Sequence, residues 1–157
     1  MPPFEIYDKS TDLHIFLNKI LAIFTSDFWW NNVFFWEQKI GLRRRPYWNI
    51  DGKSYEWTFH HIVTKEDNFS TGRIFCESRA VRIRFPKHYI NSIAWLNIWS
   101  KKKKGDLKYY ISDSAFDYLV VLSQRKGYVV LISAFPLDSN TYKSKMKQEF
   151  TQNKFTL

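Results

Sequence analysis

The chain has 157 residues, 45% of them apolar and 19% aromatic, with a formal net charge of +9. That length suits one domain around a single core, and the apolar share is that of an ordinary globular chain and argues against disorder. No run of about 18 apolar residues occurs, and the lone cysteine, Cys76, excludes an internal disulfide framework and a cysteine-based zinc site.

Ser10, Thr11 and Asp12 form a helix-start cluster. Behind it, Leu13, Phe16, Leu17, Ile20, Leu21 and Phe24 fall at helical spacing. Ser26-Asp27 signals a second start, and Trp29, Val33, Trp36 and Ile40 share a stripe that Gly41 ends. Two antiparallel helices are expected here. "SYEWTFHHIVT" alternates, so it reads as a strand with Tyr55, Trp57, Phe59, His61 and Val63 on one face and His60 on the other. "RAVRIRF" reads as a second strand, with Arg79, Val81, Ile83 and Phe85 opposite Arg82 and Arg84, and Pro86 as its end. "KHYINSIAWLNIW" reads as a helix, followed by a basic loop, "KKKKGD". "LKYYIS" is a short strand, and "DYLVVLS" and "YVVLISAF" form a hairpin around "QRKG". The hairpin strands are apolar on both faces, which predicts a central position with cover on both sides. From Asp138 onward the tail is polar and Lys-rich, a fraying helix or a loose segment.

The expected fold class is α+β. An N-terminal helical pair packs with a small antiparallel sheet of four to five strands, and one helix is inserted between strands. The expected division is a single domain over 1–157: a helical part over 1–42, an α+β core over 53–138 and the tail over 139–157.

Charge is unevenly spread. Residues 1–40 hold three Lys/Arg against five Asp/Glu, so the whole positive excess lies beyond them. A basic body beside a slightly acidic piece predicts a polyanion partner, nucleic acid before membrane. The opening "MPPFEIYDKS" lacks the basic and apolar regions of a signal peptide, and the single cysteine fits a reducing compartment. A cytoplasmic location without membrane attachment is expected.

The four histidines are His14, His60, His61 and His88, and no HExxH, CxxC or acidic triad accompanies them. GxGxxG, GxxxxGK[ST] and GxSxG are absent too, so neither a metal nor a cofactor is expected. A basic constellation remains, and it suits RNA cleavage without a metal. That chemistry needs a base for the ribose 2′-hydroxyl, cations for the phosphate and an acid for the leaving oxygen. A histidine near pKa 6.5 can take either proton-transfer role. On strand parity His61 and Arg79 are polar groups on the apolar side. A buried guanidinium needs a partner, so Arg79 pairs with Glu77 or Glu56, escapes at the strand end, or lines a cleft open to an anion. His60 is the alternative base. Arg82, Arg84, Lys87, His88, Lys101 and Lys102 are candidate phosphate contacts or solvated surface.

"HHIVTK", "GRIFCESRAVRIRF" and "FDYLVVLSQRKGYVVLISAFPLD" together resemble the phage-type barnase–EndoU–colicin–RelE-like (BECR) nucleases, metal-independent RNases. The resemblance covers roughly residues 58–138. It rests on His61-Ile62, on Arg79-Ala80 with Ile83 and Phe85, and on Ser133-Ala134-Phe135. Ser78 stands where the family carries an acidic residue, with Glu77 one position earlier; Phe85 replaces a Trp and Ser133 a Thr. The resemblance implies that His61, Arg79 and Ser133 face one cleft.

The expected function is therefore a metal-independent endoribonuclease of toxin or phage-defence type. Its substrate is RNA, and an antitoxin or immunity-type protein keeps it in check. The alternatives are a non-catalytic nucleic-acid-binding module and a small phage-type interaction protein that docks through its basic surface.

Overall fold

The computed structural model describes residues 1–30, 32–69 and 72–153. Helix α1 (Leu13–Thr25) begins where the Asp12 side chain accepts the His14 N–H at 2.8 Å. Phe16, Leu17, Ile20 and Phe24 are its buried stripe. A π-helical turn, Ser26–Trp30, continues it.

The expected second helix does not form. Residues 34–42 make a hairpin of β1 (Phe34–Phe35) and β2 (Gln38–Leu42). Its turn residues, Trp36 and Glu37, have φ of 45° and 68°. Two positive φ angles match the twist of a tight hairpin, but that turn is normally written Asn-Gly. Trp-Glu gives no such sign, and the apolar spacing imitates a helix. Val33 and Ile40 are buried whereas Trp29 is exposed, so they share no stripe.

Strands β3 (Trp48–Ile50) and β4 (Lys53–Tyr55) form a separate ribbon. The expected strand over 55–64 is instead mostly helix α2 (Trp57–Val63). Phe59, Ile62 and Val63 are buried at helical spacing, and the alternation of Trp57, Phe59 and His61 is coincidental over so short a run. β5 (Thr64–Glu66) then pairs with β6 (Arg73–Phe75). "RAVRIRF" is not a strand either. It covers the end of α3 (Glu77–Ala80), a turn, and the start of α4 (Phe85–Asn91). Pro86 lies in the first turn of α4, where its fixed φ and missing N–H are tolerated; it begins an element rather than ending one. The parity argument for Arg79 therefore lapses.

The helix expected over 87–99 stops at Asn91, and a 3-10 turn (Ile93–Trp95) leads into β7 (Asn97–Lys103). Half of the expected basic loop, Lys101 to Lys103, is the end of this strand. β7 is the sheet edge, where lysines discourage pairing with another chain. β8 (Asp106–Ser112), β9 (Tyr118–Gln124) and β10 (Val129–Pro136) lie where the sequence puts them.

The result is a mixed α+β fold around a six-stranded sheet ordered β1-β2-β10-β9-β8-β7. The sheet is larger than expected because residues 34–42 and 97–103 are strands. All its neighbours are antiparallel except β2 and β10, which run parallel. β9 is buried on both faces, as its two-sided apolar pattern requires. Val120 and Leu122 enter the main core with α1, α2 and α4. Leu119 and Val121 enter a second cluster with Trp99, Phe116, Leu137 and Met146. Met146 belongs to α5 (Asn140–Asn153), so the tail as far as Asn153 is a packed helix that covers the far face of the sheet; residues 154–157 of the expected tail lie outside the described residues. No helix among the described residues is long and apolar enough to cross a membrane.

Met146 is the one buried residue of α5. Met146→Ala should cost about 2–5 kcal/mol in a urea titration, the range for a truncated core methionine. A helix lying loosely on the surface would lose almost nothing.

Candidate functional site

A cavity of about 450 Å³ opens between α2, the β5–β6 hairpin, the end of β10 and α5. His61, Arg79 and Ser133 line it together with Trp57, Arg73 and Tyr142. Lys65, Glu66, Ile132 and Phe135 complete the wall.

His61 sits in the last turn of α2. Its Nδ1 lies 2.9 Å from the Trp57 carbonyl, which can only accept, so Nδ1 carries the proton. Nε2 then holds the lone pair of the neutral ring, and among the described residues it has no hydrogen-bond partner. Trp57 stacks on the imidazole at 3.9 Å, and Trp48 meets it edge-on at 5.1 Å. Burial pushes the His61 pKa down to about 4, and the neighbouring Arg73, His60 and Arg43 act in the same direction. At neutral pH the ring is uncharged and can accept a proton.

Arg79 and Arg73 approach the C-terminal end of α2 from two elements. Arg79 Nη1 donates to the Thr64 carbonyl at 2.7 Å, and its guanidinium lies 4.6 Å from the Phe135 ring centroid. Arg73 Nη2 donates to the same carbonyl at 2.9 Å, and its Nε donates to Thr64 Oγ1 at 3.0 Å. Both also reach the His61 carbonyl, at 3.3 and 3.4 Å. Among the described residues, no carboxylate forms an ion pair with either arginine. Glu77, one expected partner of Arg79, meets Lys9, and Glu56, the other, meets Arg44. Burial lowers the pKa of both guanidiniums, and Arg79 lowers that of Arg73 further. They stay charged, because arginine does not deprotonate in proteins. Two guanidiniums without an ion pair among the described residues thus line a cavity beside a neutral histidine; Glu66 acts on Arg73 from the same wall, but with Lys65 the lining keeps an excess of positive charge, which suits an anion.

The other sequence candidates lie elsewhere. His60 points away from the cavity; it is buried, and its Nε2 donates to the Asn49 carbonyl at 3.1 Å. Arg82 donates to the Ser78 carbonyl, rests on the Phe4 ring and lines a different cavity. Arg84 pairs with Glu5 at 2.9 Å, and Lys87 lies 3.8 Å from Asp27. His88 abuts the Tyr89 ring. Lys101 pairs with Glu149 at 3.0 Å, and Lys102 is exposed on the edge strand.

The sequence reading missed Arg73, Lys65, Glu66 and Tyr142. Arg73 left no periodic trace, because β6 is only three residues long. Tyr142 was the available signal, one of three aromatics, with Phe150 and Phe155, in a mostly polar tail. Its ring lies 6.2 Å from that of Phe135. Burial raises its pKa, with Glu149 adding and Arg79 opposing, so the hydroxyl is protonated at neutral pH. Among the described residues, no three His, Cys, Asp or Glu side chains cluster closely enough to hold a metal ion.

Comparison with known proteins gives no match for this chain among family models, curated sequences or solved structures.

The depressed histidine pKa has a stability consequence. Below about pH 6.5 the unfolded chain binds a proton that folded His61 refuses, until pH falls to about 4. Stability carried by the neutral ring is therefore present above pH 6.5 and is lost as pH falls through that window. His60, also held low by burial and Arg73, adds to the slope. Urea midpoints at pH 7.0 and 4.5 should differ less in His61→Gln than in the wild type. An equal difference would mean that the ring titrates normally.

Proposed function

We propose that this cavity is the site of metal-independent RNA cleavage, the activity implied by the resemblance to BECR nucleases. The observation that carries the reading is that His61 lines the same cavity as two guanidiniums, its Nε2 without a hydrogen-bond partner and they without an ion pair among the described residues. His61 Nε2 takes the proton of a ribose 2′-hydroxyl. The 2′-oxygen attacks the adjacent phosphorus, and the bond from phosphorus to the 5′-oxygen breaks. The departing oxygen takes the Tyr142 hydroxyl proton. The products are a 2′,3′-cyclic phosphate and a free 5′-hydroxyl.

Arg73 and Arg79 stabilise the charge that gathers on the phosphate oxygens, and Ser133 Oγ orients one of them. Held by carbonyls and by the Phe135 ring, the arginines are already in place before substrate arrives, so little reorganisation is needed in the transition state. Such an enzyme working in the cytoplasm endangers its own cell, and this reading includes a neutralising protein of antitoxin or immunity type.

The test is incubation with RNA in EDTA. Wild-type protein should leave 2′,3′-cyclic ends, and His61→Ala should be slower by about 100- to 10,000-fold. Arg79→Ala should fall comparably, whereas Arg82→Ala/Arg84→Ala should cut at nearly the wild-type rate. The acid limb of kcat/KM should lie near pH 4 rather than 6.5, because that limb reports the free-enzyme base. RNA binding without any cleavage would sink the enzyme reading and leave a binding module.

A further inference from the structure

A second surface continues from the cavity. Trp48 is 39% exposed and lies against both His61 and His60, with ring centroids 5.1 and 5.5 Å away. Its chain neighbour Tyr47 is 49% exposed and lines another cavity, of about 460 Å³. Trp29, 44% exposed, stands in that cavity with the Arg44 guanidinium 4.6 Å above its ring. The two cavities are lined by consecutive residues of the chain, Tyr55 and Glu56 in the second and Trp57 in the first. Exposed aromatic side chains therefore occur from the His61 cavity, at Trp48, to the second cavity, at Tyr47 and Trp29.

Charge follows the same path. Residues 38–57 hold five Lys/Arg against two Asp/Glu, and one of those acids, Glu56, is already tied to Arg44 at 3.0 Å. Lys53 lines the second cavity, and Arg43 stacks on Trp57 at 4.6 Å. Exposed rings interleaved with cations suit single-stranded nucleic acid: the rings stack unpaired bases of any sequence, and the cations follow the backbone. A duplex keeps its bases stacked on each other and cannot offer their faces.

We infer that the Trp48–Tyr47–Trp29 surface is a track for single-stranded RNA, seating the bases that flank the nucleotide held in the His61 cavity. The inference deepens the RNA reading, but the track can be tested without cleavage. A single-stranded oligodeoxynucleotide lacks the attacking 2′-hydroxyl, so it is bound and not cut.

The experiment is fluorescence anisotropy with a labelled oligothymidylate at about 50 mM salt, where phosphate contacts are strong. Tyr47→Ala and Trp29→Ala should each weaken binding by roughly 5- to 100-fold, the loss of one stacked base. Tyr47→Phe, which keeps the ring, should bind like wild type. Both rings are exposed, so folding is spared, and circular dichroism checks this. A matched duplex should bind more weakly than the single strand. Wild-type affinity in the Tyr47→Ala/Trp29→Ala double variant would overturn the track, as would equal affinity for duplex. No binding by wild-type protein would also overturn it and leave the surface to an acidic protein partner. Oligothymidylate binding that needs the rings, without RNA cleavage, would keep the track and sink only the nuclease reading.

Discussion

The candidate site depends on how the C-terminal end of α2 is held. Carbonyls in the last turn of a helix lack intrahelical partners and carry partial negative charge. Here Arg73 and Arg79, arriving from β6 and α3, donate to the carbonyls of His61 and Thr64. Thr64 is the knot. Its carbonyl takes both arginines, while its Oγ1 accepts from Arg73 and donates to the His60 carbonyl at 2.6 Å. Two like charges packed this closely would normally be costly. Carbonyl dipoles and the Phe135 ring offset part of that cost without neutralising either cation. The same contacts that fix His61 thus leave net positive charge at the cavity wall.

That arrangement explains why some of the site was legible in sequence and some was not. The β9–β10 hairpin was legible because seven- and eight-residue strands with apolar residues on both faces have few alternatives. Ser133 and Phe135 follow from it. The partnership of His61 and Arg79 came from a motif, whereas the local reading beneath it was wrong: both residues belong to short helices, not strands. Helices of seven and four residues contain too few positions for periodicity to outvote chance alternation. Arg73 was invisible and Tyr142 only faintly marked, because their place in the cavity depends on tertiary approach. One comes from a three-residue strand and the other from a helix with a single buried residue. The β1–β2 hairpin was hidden for a different reason, a turn built on Trp36 and Glu37 in the left-handed region.

The uneven charge of the chain finds a structural explanation as well. Glu5, from the acidic N-terminal piece, takes both Arg84 and Lys19, and Asp27 takes Lys87. Farther on, Glu149 of α5 takes Lys101, and Asp106 lies against Arg125. Arg84, Lys87 and Lys101, half of the six basic candidates that looked available in the sequence, are therefore spent on exposed or half-buried pairs, each worth little to stability but enough to lower the local field. The acidic start of the chain works as a counterion for the α4 region.

This pairing isolates what is left. Once Arg84, Lys87 and Lys101 are matched, the partly buried arginines of the cavity stand out: among the described residues neither forms an ion pair, and Glu66 and Asp138 act on them only from farther off. Withdrawal lowers the effective dielectric, which makes an unmatched guanidinium both more costly to keep and more attractive to an anion. A structural arginine in such a place would be expected to recruit a carboxylate, and Glu77 is only two positions from Arg79 in the chain. Glu77 instead faces Lys9 at 3.6 Å on the surface. Glu77 is thus turned away from Arg79, and Asp138 acts on Arg79 only from beyond ion-pair distance, so the cavity wall keeps a positive excess.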